Sequence, residues 1–94
     1  MWGEALFPIR LVIQRMSGGN PPQISYRILA YPLPPGTRLQ PNNVASREDL
    51  IRQVRAAIPN FDNALLAEGN DAQVLFAREM SLTMEQLSQL GLVR

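Results

Sequence analysis

"IRLVIQRMSGGNPPQISYRILAY", residues 9–31, decides what kind of fold this chain can adopt. Ile9, Leu11 and Ile13 alternate with Arg10, Val12 and Gln14, the period of two that marks a strand. Ile24, Tyr26, Ile28 and Ala30 repeat that period along "QISYRILAY". Between the two runs, Ser17 to Gln23 gathers glycine, asparagine and proline, which suit turns and weaken the interior of a sheet. The pair predicts an antiparallel hairpin with a connection longer than the minimal one.

Downstream, Pro32 to Asn43 holds four prolines, which exclude a helix or a central strand. The residues predict an extended crossover. Pro32 and Pro35 form a PxxP, but Arg38 stands one residue beyond where ligands of proline-reading domains place their charge, so a rigid connector explains the stretch better. Ser46 then opens a helix expected over 46–58. Glu48 and Asp49 sit in its first turn, where the positive end of the dipole favours acids. Leu50, Ile51, Val54, Ala57 and Ile58 make one apolar stripe, and Glu48 precedes Arg52 by four residues, the favourable order for an ion pair. Arg52 and Arg55 fall on the solvated side. Pro59 ends the helix.

Over Asn60 to Asp71, Ala64 to Glu68 are good helix formers, with Asp62 as cap and Gly69 as terminator. A short helix is expected there, with a strand as the rival. "AQVLFARE", residues 72–79, predicts a third strand. The closing signals are strong. Thr83 and Gln86 form a capping box, Leu82 and Leu87 a hydrophobic staple, and Gly91 occupies the left-handed C′ position. Met84 to Leu90 is thus a two-turn helix, too short to persist alone.

Composition bounds function by subtraction. The chain has 94 residues and is 46% hydrophobic, enough for one small domain over 1–94. It has no His and no Cys, and all nine basic residues are arginine. A neutral-pH base, a thiolate nucleophile and a Schiff-base amine are therefore lacking, and an enzyme is not expected. No cofactor or metal is expected either. Asp62 and Asp71 with nearby asparagines do not follow EF-hand spacing, and "SGGN" leads into a strand where a phosphate loop needs a helix. The net charge is +1 with scattered arginines, against the basic face of a nucleic-acid binder. Residues 1–15 show no basic stretch before an apolar run, and no apolar segment approaches ~18–20 residues. With cysteine absent as well, a cytoplasmic, non-membrane protein is expected.

The informative feature is the second face of the strands. It carries Val12 and Met16 beside Arg10 and Gln14, Leu29 and Tyr31 beside Ser25 and Arg27, then Leu75 and Ala77. A wet antiparallel face should be mostly polar, and this one is about half apolar. The long helix is expected over the Ile9, Leu11, Ile13, Ile24, Tyr26, Ile28, Val74 and Phe76 face, and the closing helix, about 10 Å long, over part of the second. The fold expected is α+β, in the order β-β-α-(α)-β-α, with a three-stranded sheet whose third strand runs either way. The function expected is a non-enzymatic interaction module, self-associating as a homodimer or binding another protein. Its surface would be Val12, Met16, Arg27, Leu29, Tyr31 and Leu75, together with a free sheet edge. The alternative is a small-molecule cleft between sheet and closing helix, lined by Met16, Tyr31, Met84 and Leu87.

Overall fold

A computed structural model describes residues 5–33, 35–38, 40–66 and 73–93. The hairpin forms as expected from strand β1 (Phe7–Gly18) and strand β2 (Gln23–Tyr31), paired antiparallel from Arg10 opposite Tyr31 to Gly18 opposite Gln23. Gly19 turns the chain at a φ of 93°. Strand β3 (Asn42–Val44), helix α1 (Arg47–Ala57), a 3-10 turn (Asn63–Leu65), strand β4 (Val74–Leu82) and helix α2 (Met84–Gln89) follow. The sheet is four-stranded, not three-stranded, in the order β3-β2-β1-β4, and every pairing is antiparallel.

The extra strand is β3, inside the stretch expected to be a plain crossover. Three residues, two of them asparagine, give no legible alternation and little strand propensity. Tertiary contacts hold them. Asn43 lies opposite Arg27 and accepts from its Nε at 3.3 Å. Asn42, opposite Ile28, shares the core face and donates from Nδ2 to the Leu90 carbonyl at 2.9 Å.

Helix α1 starts where the sequence places it, with the Ser46 hydroxyl accepting from the Asp49 N–H at 3.1 Å. Leu50, Val54 and Ala57 are buried, and Ile51 and Ile58 pack beside them. The expected Glu48–Arg52 pair is replaced by Asp49–Arg52, one residue closer, at 2.9 Å. Arg55 is not simply solvated, because its Nε donates to the Phe61 carbonyl at 3.2 Å and closes the turn after the helix. At 62–68 the helix reading holds only for one 3-10 turn, capped by Asp62. Its expected end at Glu68 and Gly69, the asparagine and aspartate at 70 and 71, and the strand start at Ala72 lie outside the described residues.

The closing helix corrects the main layering expectation. Leu87, Leu90 and Leu92 are fully buried in the same cluster as Ile9, Leu11, Ile13, Leu50 and Val54. Both helices therefore lie on one face of the sheet. Two side chains lock them together reciprocally: Gln53 donates to the Gln89 carbonyl at 2.6 Å, and Gln86 donates to the Ala57 carbonyl at 3.2 Å. Each helix so satisfies a carbonyl left over at the other's C-terminal end.

The ends of α2 follow their sequence signals closely. Both hydrogen bonds of the Thr83–Gln86 capping box are present. Gly91 has a φ of 77°, its N–H reaches the Ser88 carbonyl, and the Leu92 N–H reaches the Leu87 carbonyl at 3.0 Å. That is the Schellman pair, and Leu87 with Leu92 supplies its apolar contact. A Cβ on Gly91 would sit 2.8 Å from Asn42 Nδ2, the group that donates to Leu90. Gly91→Ala should thus cost about 2–3 kcal/mol, from the left-handed backbone and the displaced amide together. Asn42→Ala should cost about 1 kcal/mol and relieve the clash, so the double variant should lose less than the two single losses added. Urea unfolding of the four proteins measures both; strict additivity would contradict the contact.

Candidate interaction surface

The register lays out the outer face, the one without helices, as rows across the strands, because residues directly opposite in a ladder share a face. Tyr31, Arg10 and Glu79 form one row. Leu29, Val12 and Ala77 form the next, and it is wholly apolar. Asn43, Arg27, Gln14 and Val74 form the third. Met16 pairs with Ser25 beyond it.

Five of the six residues expected on an interaction surface stand together here: Val12, Met16, Arg27, Leu29 and Tyr31. Tyr31 is 48% exposed, and Met16, Arg27 and Leu29 are half-buried. Val12 is only 6% exposed although no helix covers it. It sits at the crossing of the apolar row and the central strand, between Leu29 and Ala77. Glu79 belongs to the same face, and among the described residues its carboxylate makes neither ion pair nor hydrogen bond. Its place opposite Arg10 needs the register, which no local pattern in the sequence reveals.

Leu75 is the exception. Ile13 pairs with Phe76 and Gln14 with Val74, so Leu75 is an extra residue in β4, a bulge. The bulge shifts the alternation by one. Leu75 turns into the core at 5% exposure, while Val74, expected inside, stands on the outer face at 46%. Strict alternation placed both on the wrong side.

The four residues of the expected cleft are not brought together. Met16 and Tyr31 lie on the outer face at opposite ends. Leu87 is fully buried under the other face, and Met84 borders a separate hollow with Gly36, Thr37, Arg38 and Gln40. The outer face has instead two open hollows, one on each side of the apolar row. The first, about 570 Å³, is bordered by Pro8, Arg10, Tyr31, Pro32, Glu79 and Ser81. The second, about 510 Å³, is polar and reaches around β1, bordered by Gln14, Met16 and Arg27 of the outer face and by Arg15, Ser17 and Gln73.

Among the described residues no three of His, Cys, Asp and Glu gather as metal ligands, and no helix is long and apolar enough to cross a membrane. Comparison of the chain with protein-family models, curated proteins and solved structures gives no match.

The bulge separates two adjacent apolar residues by environment, which stability measurements resolve. Leu75→Ala should cost about 2–4 kcal/mol, the range for a leucine removed from a packed core. Val74→Thr should cost under about 0.5 kcal/mol, as an exposed position. Equal losses at the two sites would contradict the bulge.

Proposed function

We propose that this domain is a non-enzymatic interaction module that binds a second copy of itself through the outer face of its sheet. One observation carries the reading. The row Leu29–Val12–Ala77, with Tyr31 and Met16 on either side, lies on a face to which neither described helix contributes. A single exposed leucine on a surface means little, but a continuous apolar row rimmed by polar chains is the arrangement of a contact surface. Tyrosine and arginine at its margins are among the residue types enriched at interfaces.

The size of the face sets the strength. Three strands and the four rows along them span roughly 14 Å by 27 Å. A stable interface buries about 800 Å² per partner, and this face offers roughly half of that or less, so association is weak, in the micromolar range or above. The free edge of β4 lies along one side, with Arg78 and Glu79 near its middle, the charged residues by which edges resist unplanned pairing. The face, not the edge, is therefore the contact.

Sedimentation equilibrium from about 10 µM to about 1 mM should show the weight-average mass rising from one chain to two, over the range a weak interface implies. Leu29→Glu places a charge in the apolar row of both copies and should weaken association about a hundredfold. A mass that stays at one chain throughout would defeat the proposal. Dimers that ignore Leu29→Glu would move the contact to another surface.

A further inference from the structure

Two of the three charges on the outer face, Arg27 and Glu79, are placed symmetrically about its centre, while the place across Val12 from the third, Arg10, is held by the neutral Gln14. From Val12, Arg27 lies one strand over, toward β2, and two residues along β1, opposite Gln14. Glu79 lies one strand over in the other direction, on β4, and two residues back, opposite Arg10. Each is about 8 Å from Val12, given the spacing of strands and the rise of two residues. The two groups are thus opposite in sign, equal in distance and diametrically opposed across an apolar centre.

A symmetric dimer can use such a layout twice, because in an isologous contact, if residue i meets residue j of the copy, residue j meets residue i of the copy. We infer that two copies dock about a two-fold axis lying over Val12, with Glu79 of each copy meeting Arg27 of the other; this rests on the self-association proposed above. Val12 then faces its own copy, and the apolar rows cross at the centre. The strands of the two sheets cross at about 70°, near the orthogonal class of sheet packing.

The side chains are free for this role. Among the described residues the Glu79 carboxylate has no partner, and Arg27 uses its Nε alone, toward Asn43 at 3.3 Å. The terminal nitrogens of Arg27 remain for a carboxylate. In the dimer Glu79 lies between Arg10, its ladder neighbour, and Arg27 of the second copy, so each acid serves two cations. An axis running along the strands over β1 would instead set Arg10 against its own copy, a like-charge contact at the middle of a row.

A charge swap tests the pairing. Within one chain Arg27 and Glu79 are about 16 Å apart, beyond the screening length at physiological salt, so any rescue must act between copies. Arg27→Glu and Glu79→Arg should each raise the dissociation constant about tenfold, and the double variant should recover most of the loss. Glu79 is exposed and Arg27 half-buried, and thermal melting checks that the variants fold. Wild-type association should also weaken as sodium chloride rises from about 0.05 M to about 0.5 M, which needs no variant. Single variants without effect, a double variant no better than the singles, or association that strengthens with salt would overturn the pairing while leaving self-association in place. A wild type that remains a single chain would remove both.

Discussion

A mismatch of lengths governs this molecule. Strand β1 has twelve residues, roughly 40 Å of extended chain, while α1 has eleven, roughly 16 Å of helix. The helical layer can cover only part of one side. It covers the part where Ile9, Leu11, Ile13 and Ile28 lie, and these are fully or almost fully buried. Past that zone Ile24, on the same side by register, is 55% exposed. Partners of β1 follow the same division: β4 pairs with its first half and β2 with its second, overlapping across the middle. Pro8 is tolerated in this central strand because the β2 ladder begins only at Arg10, so the missing N–H falls where nothing asks for it.

The helical layer holds its place through polar bonds more than its size suggests. Six residues of α2 would not remain helical in water. Thr83 and Gln86 close its start, Gly91 closes its end, and Gln53 and Asn42 take carbonyls at its C-terminus. The Gln40 N–H adds a bond to the Leu92 carbonyl at 3.0 Å. Residues 40–44 and 90–93 thereby fix each other. The C-terminal turn holds β3 on the sheet, and β3 holds the C-terminal turn on the core.

How far the sequence discloses this depends on the range over which each signal acts. The hairpin and both helix starts were legible because period-two alternation and cap chemistry are local, written within a few residues. The side on which α2 packs was not legible. Its apolar stripe says that it must be buried, and only the close fit against α1 says where. Strand β3 was hidden because its stability comes from Leu90 and Arg27, both at least sixteen positions away. The Leu75 bulge defeated alternation itself: one inserted residue moves Leu75 inward and Val74 outward, and no residue in that stretch announces the insertion. The outer-face residues fared better. Four of the six stay accessible where the period placed them, since β1 and β2 carry no such irregularity.

The near-complete burial of Val12 bears on what kind of contact the outer face can make. Had the centre of the row been open, the monomer would leave a large apolar area in water and would depend on its partner for stability. Instead the centre is already buried in the single chain, and exposure lies outward at Leu29, Tyr31 and Val74. A second copy therefore gains little by burying Val12 itself and more by burying the margins, where Arg27 and Glu79 also stand. An interface of that kind takes its orientation from charge and only part of its strength from apolar area. The proposed dimer is therefore one whose subunits fold alone and associate reversibly, unlike a subunit that cannot exist without its partner.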